Sequence, residues 1–295
     1  MPSEKMSIVL ETRARRPHRI AELAAARTRR HALLGESGRL FIIAADHPAR
    51  GALRIGQQPL AMADRFDLLE RLCVALARPG VDGVLGTADI LEDLLLLGAL
   101  DGKVVVGSMN RGGIAGTSFE LDDRFTGCDA KSVSDMGFDG GKMLLRIDRS
   151  DPASVVTMEA CAKAVNELAE RQLMAMIEPF MSGRADGKVK NDLSTEATIH
   201  SIAIASGLGR TSAYTWLKVP VVDDMERVMA TSTLPALLLG GEAAGDPDAA
   251  FERWHKALRL PTVRGLVVGR TLLYPPNDDV AGAVDTAAGL LPGQP

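Results

Sequence analysis

Eight short apolar runs recur along the 295-residue chain, ending in or near Gly, Pro, Asp or Ser and separated by longer amphipathic stretches. In order they are LFIIAAD (40–46), VDGVLG (81–86), VVVGS (104–108), KMLLRID (142–148), LMAMIEP (173–179), YTWLKVP (214–220), PALLLGG (235–241) and GLVVGR (265–270). Between them MADRFDLLERLCVALAR, DPASVVTMEACAKAVNELAERQ, ATIHSIAIASGLGR, VDDMERVMAT and DPDAAFERWHKALRL have helical periodicity, with Asp or Asp-Pro starts that suit helix N-termini. Strands buried on both faces and alternating with helices imply an α/β fold with a parallel sheet, and eight such units close into a (β/α)8 TIM barrel. An open doubly wound sheet is the rival arrangement. No GxGxxG follows the first run, which argues against a dinucleotide-binding domain.

The chain reads as one domain over 1–295, with residues 1–38 an N-terminal helical extension (IAELAAARTRRHALL) capping the barrel bottom and 39–295 the barrel. With 46% apolar and 24% charged residues, it can bury one large core. A net charge of −4 provides no basic field for a phosphate backbone, so no nucleic-acid partner is expected. The N-terminus has no long apolar segment, and ILEDLLLLGAL is short and carries Glu92 and Asp93, so neither export nor a membrane is expected. Cys73, Cys128 and Cys161 form no CxxC or CxxH spacing, which argues against disulfides and structural zinc and suits a reducing cytoplasm. The histidines His18, His31, His47, His200 and His255 form no HxH or HxxxH pair, so no metal is expected.

A charge within an apolar strand is costly unless paired, so such positions are where chemistry is sought. Alternation in KMLLRID puts Lys142, Leu144 and Arg146 on one face and Met143, Leu145 and Ile147 on the other; the apolar set should pack on helices, leaving the cations to point into the barrel. Glu178 shares a face with Met174 and Met176, and Lys218 points away from Leu217 and Val219. Each alone could be an ordinary strand-end charge reaching solvent. Together, on the fourth, fifth and sixth runs, Lys142, Glu178 and Lys218 would meet at the C-terminal mouth, where barrels place their chemistry. A neighbouring cation and partial burial lower a lysine's pKa, giving the neutral amine that Schiff-base formation requires, and Glu178 is suitably typed for proton transfer.

The seventh and eighth runs end in Gly240-Gly241 and Gly269-Arg270, a common phosphate position in barrels, although glycines also serve there simply to turn the chain. The first run ends Asp46-His47 with Arg50 close behind; Asp46 could hold a substrate hydroxyl or pair with a neighbouring lysine.

Through these residues the chain resembles the class I aldolases of the DeoC/LacD superfamily, which include tagatose-bisphosphate and archaeal-type fructose-bisphosphate aldolases. The resembling blocks are AADHPARGALR, DGGKMLLRID, MAMIEPF, LKVPVVDDME, LPALLLGGE and GLVVGRTLLYP, of which LKVP with LLLGGE is the most specific pair. The resemblance implies a cofactor-free, metal-independent enzyme with Lys218 as the imine-forming lysine. Lys142 and Glu178 would stand beside it in acid/base and electrostatic roles, Asp46 at substrate hydroxyls, and Gly240, Gly241, Gly269 and Arg270 at a phosphate.

The chain departs from that pattern at two places. Arg146 stands where tagatose-bisphosphate aldolases carry aromatics, and the loop GSMNRGGIAGTSFELDDRFTG after the third strand looks particular to a subgroup. That subgroup resembles barrel proteins associated with inositol breakdown, which implies cleavage of 6-phospho-5-dehydro-2-deoxy-D-gluconate to dihydroxyacetone phosphate and malonate semialdehyde. Arg146 could bind the substrate carboxylate as a bidentate pair, or could be salt-bridged to Asp148 or another acid. The alternatives are an imine aldolase for deoxyribose phosphate, fructose or tagatose bisphosphate or a sulfosugar phosphate, and a non-catalytic sugar-phosphate-binding barrel. A sugar phosphate is the expected small-molecule partner. A homo-oligomer is expected; LLLLGAL could lie at a subunit contact, but helix packing on the barrel satisfies the same run and is the favoured reading. SGRADGKVKND after the fifth strand could be a lid or an ordinary solvent loop.

Overall fold

The computed structural model describes residues 4–185, 188–240, 247–291 and 293. Among them the chain forms nine strands: β1 (Leu40–Ala44), β2 (Gly83–Gly86), β3 (Val104–Ser108), β4 (Gly140–Ile147), β5 (Met174–Ala185), β6 (Lys188–Asn191), β7 (Thr215–Val219), β8 (Ala236–Leu239) and β9 (Val263–Val268). Every one of the eight apolar runs falls on a strand, although β4 and β9 start before their runs and β5 extends beyond its own. These eight pair in parallel in the ring order β1-β2-β3-β4-β5-β7-β8-β9, and pairing of β9 with β1 closes the ring. An open sheet would leave two edges; this one is a (β/α)8 barrel.

The alternation within each strand decides which side chains fill the ring. Leu40, Ile42, Ala44, Leu85, Val104, Val106, Met174, Met176, Trp216, Leu237 and Val267 form the inner cluster. Their neighbours Phe41, Ile43, Val105, Met143, Leu145, Ile177, Leu217 and Val219 belong to the larger outer cluster beneath the helices. Full burial of side chains of this size contributes about 1.5–3 kcal/mol each, so a one-residue register slip would be prohibitive. At the barrel bottom two carboxylates also pin the register: Asp82 accepts the Phe41 N–H at 2.8 Å, and Asp139 the Val105 N–H at 2.8 Å.

The outer helices start where the sequence places capping residues. Asp64 accepts the N–H groups of Phe66 and Asp67 ahead of the helix Arg65–Leu76, and Ser194 accepts that of Ala197 ahead of Thr195–Ser206. No helix among the described residues is long and apolar enough to cross a membrane.

Two segments differ from the sequence reading. The N-terminal extension forms helices Glu4–Arg15 and Arg19–Ala26, and helix is then lost through the TRRHALL stretch. Arg27 leaves the helix because its buried guanidinium is taken by the carbonyls of Leu100 (3.2 Å), Lys103 (2.9 Å) and Gly137 (2.6 Å), just before β3 and β4. Leu33 and Leu34 then pack against the inner cluster. The second difference lies at the end of β5, where Ser182–Ala185 pairs antiparallel with β6. The described part of SGRADGKVKND is thus antiparallel strand, its first half a continuation of a barrel strand.

Candidate active site

Four of the residues singled out in the sequence meet at the C-terminal mouth. Lys142 and Lys218 are 1% and 3% exposed, inside the ring. Glu178, on the strand between them, bridges both: Oε1 lies 2.9 Å from Lys218 Nζ, and Oε2 contacts Lys142 Nζ. Lys142 Nζ also lies 3.1 Å from Asp46 Oδ2. Register explains the cluster, since Leu144 stands level with Glu178, Met176 with Lys142 and Leu217 with Ile177. Inward side chains on three adjacent strands are thereby stacked within ion-pair reach.

Burial pushes both lysine pKa values down, and pushes that of Lys142 well below the usual range, although Glu178 opposes the shift at each. For Glu178 burial opposes ionisation, but Lys142 and Lys218 outweigh it and hold the carboxyl well below its ordinary value. The centre is a buried carboxylate shared by two destabilised ammonium groups.

Asp46, 1% exposed, also receives the guanidinium of Arg111 and, at 3.4 Å, the Ser108 hydroxyl. Arg111 Nε donates to Ser108 Oγ at 3.1 Å. Asp46 Oδ1 and His47 Nδ1, 3.9 Å apart, are buried without a hydrogen-bond partner in the protein. Burial, with the charges of Arg270 and Lys218, depresses the His47 pKa well below its usual value, so the imidazole is neutral at pH 7.

Arg146 points inward with Lys142, yet its surroundings change how it is read. Nε and Nη2 each donate to the Asp123 carboxylate at 2.7 Å, Nη1 reaches Glu120 Oε1 at 3.4 Å, and Nη2 also meets the Glu120 carbonyl. A guanidinium so engaged does not present the free planar fork that a substrate carboxylate needs. The acid that takes it is Asp123, from the β3–β4 loop, rather than Asp148.

At the β8 and β9 ends, Gly240 and Gly269 have packing reasons to be glycine. A Cβ at 240 would stand 2.6 Å from Val268 Cγ1, and one at 269 would stand 2.2 Å from the Ala44 carbonyl oxygen. Arg270 follows directly, and its charge lowers the pKa of both His47 and Lys218. Gly241 lies outside the described residues.

Residues 38–288 match the Cgl0159-like family. The chain belongs to the Cgl0159-like family. Cgl0159 from Corynebacterium glutamicum, known from a crystal structure, is 58% identical over 99% of both chains and superposes with a TM-score of 0.96. More distant similarity reaches a Schiff-base-forming fructose-1,6-bisphosphate aldolase and an archaeal fructose 1,6-bisphosphate aldolase, each 18% identical over 92% of this chain. These cover 99% and 98% of the respective neighbours, with TM-scores of 0.67 and 0.68. At that identity the likeness is one of fold. No protein of curated function matches the sequence.

Within this Cgl0159-like barrel, Ser108, Asn110 and Arg111 join the site although strand alternation in the sequence did not mark them as site residues. Asn110 Nδ2 donates to the Leu144 carbonyl at 2.5 Å and its Oδ1 accepts the Leu144 N–H at 2.7 Å. A side-chain amide so replaces a peptide and continues the β3–β4 ladder past Ser108. The available signal was MNRGG directly after a strand: an amide, a cation and two glycines, in the loop that departs from the aldolase pattern.

Proposed function

We propose that this protein is a class I aldolase that cleaves a ketose phosphate through an imine on Lys218. The observation that carries the proposal is the shared carboxylate: two lysines buried in the barrel mouth with Glu178 between them. Lys142 is tied by two carboxylates and Lys218 by one, so Lys218 is the more easily released to a substrate carbonyl. Similarity of fold to Schiff-base aldolases supports the same reading.

In the proposed cycle the neutral Lys218 amine adds to the ketone, and loss of water gives a protonated imine. Glu178, or a water held by it, takes the proton from the hydroxyl one carbon beyond the scissile bond. That O–H pair becomes the product carbonyl, the C–C bond breaks, and its electrons enter the imine to give an enamine. Protonation at carbon and hydrolysis release the ketone product and restore Lys218. Lys142 holds Glu178 and Asp46 in place, and Asp46 receives a substrate hydroxyl on its unpartnered oxygen. Gly240, Gly241, Gly269 and Arg270 are proposed to hold the phosphate beside the imine.

The substrate that fits best is 6-phospho-5-dehydro-2-deoxy-D-gluconate, whose products would be dihydroxyacetone phosphate and malonate semialdehyde. It combines a ketone next to a phosphate with a carboxylate at the far end. The deciding experiment is borohydride reduction in the presence of dihydroxyacetone phosphate, followed by peptide mass analysis. Adduct on Lys218, and turnover insensitive to EDTA, are expected; an unmodified protein that still turns over, or adduct on Lys142, refutes the assignment.

A further inference from the structure

The mouth has a second cationic end, on the side away from the glycines. In the ring order, β3 lies directly across from β8, with Lys142 and Lys218 on the strands between them on one side. Arg111 enters from the C-terminal end of β3, buried, with its guanidinium on Asp46 and Ser108. It is therefore placed opposite a phosphate at β8 and β9, with the imine lysine between the two.

The chain builds this position with care. Asn110 fastens the loop to β4 immediately before Arg111. Gly112 and Gly113 follow; a Cβ at 113 would stand 2.2 Å from the Glu120 carbonyl, 2.6 Å from Asp123 Oδ1 and 2.7 Å from Arg146 Nη2. Arg146 clamps Asp123, Arg50 Nε donates to the Gly113 carbonyl at 3.0 Å, and Arg184 Nη2 to the Ser118 carbonyl at 2.6 Å. Three arginines from different parts of the barrel thus hold one loop whose inward residue is a fourth.

We propose that Arg111 is the specificity residue that receives a carboxylate at the substrate end remote from the phosphate, with Arg146 as the positioning residue that holds its loop. The proposal rests on the Schiff-base reading above. The charge count favours a carboxylate over a second phosphate. Lys142, Lys218, Arg111, Arg146 and Arg50 face Asp46, Glu178, Asp123 and Glu120, a surplus of one positive charge that a protonated imine retains. That balances a monoanion and falls short of a dianion. Asp46 gives up the Arg111 contact on binding and keeps Lys142.

The test compares kcat/KM for wild type, Arg111→Gln and Arg111→Lys on ketose phosphates alike at the ketone end and finishing in a carboxylate, a phosphate or a hydroxymethyl group. Wild type should prefer the carboxylate. In Arg111→Gln the ratio of carboxylate to hydroxymethyl activity should fall about 10- to 100-fold, and Arg111→Lys should recover part of it, since charge remains without the fork. Equal losses on all three substrates, or a wild-type preference for the bisphosphate, overturn the assignment. If Arg111→Gln does not fold, Asp123→Asn loosens the same loop from outside the substrate's reach and should shrink the same ratio; an unchanged ratio there counts against the proposal. Borohydride trapping with dihydroxyacetone phosphate, which lacks the remote group, separates the two readings. Failure to trap the wild type removes the imine, whereas trapping with an unaltered carboxylate ratio in the variants removes only the role of Arg111.

Discussion

Glu178 places one carboxylate oxygen on each of two buried lysines, 2.9 Å from Lys218 Nζ on one side and in contact with Lys142 Nζ on the other. Few arrangements hold two ammonium groups so close, and the geometry makes the protonation of all three groups interdependent.

The pH dependence follows with a definite sign. Burial lowers both lysine pKa values, and Glu178 opposes this by stabilising the ammonium forms. The rising limb of kcat/KM against pH, set by loss of the Lys218 proton, should lie below the ordinary lysine range. In Glu178→Gln the opposing charge is gone, so the limb should move to still lower pH while kcat drops about 100-fold or more with the loss of the proton acceptor. A limb displaced to higher pH would contradict the bridge.

Lys142→Ala separates stability from chemistry. It leaves Glu178 with Lys218 and Asp46 with Arg111, so each acid keeps a cation. Its cost, read from urea unfolding, should stay near about 1–3 kcal/mol, below the roughly 3–5 kcal/mol typical when a buried charge is stranded. Retro-aldol activity should nevertheless fall by about two orders of magnitude or more, because Glu178 is no longer held in place.

The two described glycines should respond differently to alanine. At 269 the new Cβ would meet the Ala44 backbone oxygen at 2.2 Å, which cannot yield; at 240 it would meet a valine methyl at 2.6 Å, which can turn aside. Gly269→Ala should lose about 3 kcal/mol or more and Gly240→Ala nearer about 1 kcal/mol, as measured by thermal unfolding. If the β8 end holds phosphate, Gly240→Ala should still raise KM for dihydroxyacetone phosphate despite its mild effect on stability.

Asp123→Ala would break the buried pair with Arg146, since Asp123 is 0% exposed and takes two of its hydrogen bonds, and would leave the guanidinium only Glu120. The cost should be about 3–5 kcal/mol, expressed first as opening of the loop. Amide exchange should accelerate across residues 112–124 while β1, β4 and β5 keep their protection; uniform acceleration would mean that the pair supports the whole barrel.

Much of this molecule is legible in its residues. The eight apolar runs, the inward face of Lys142, Leu144 and Arg146, and the outward face of Met143, Leu145 and Ile147 all follow from strand alternation, and the structure has them so. Less local features were not readable. Helix ends at Ala26 because Arg27 meets carbonyls as far away as residues 100, 103 and 137, and the polar segment after β5 pairs back on its own strand. Arg146 shows the limit most clearly: its inward face follows from alternation and an acidic partner was one of its readings, but which acid takes it, Asp123 rather than Asp148, was not readable.

Period-two alternation, strand and helix lengths, and capping residues act over a few positions, so the sequence alone determined that the chain makes eight βα units with charges on their inner faces. Which charges touch depends on ring closure and register. The contact of Lys142 with Asp46 spans 96 positions, and the capture of Arg146 by Asp123 spans 23 across a loop. Those pairings were decided only when the barrel closed, since desolvation makes an ion-pair partner obligatory and closure selects which one is within reach.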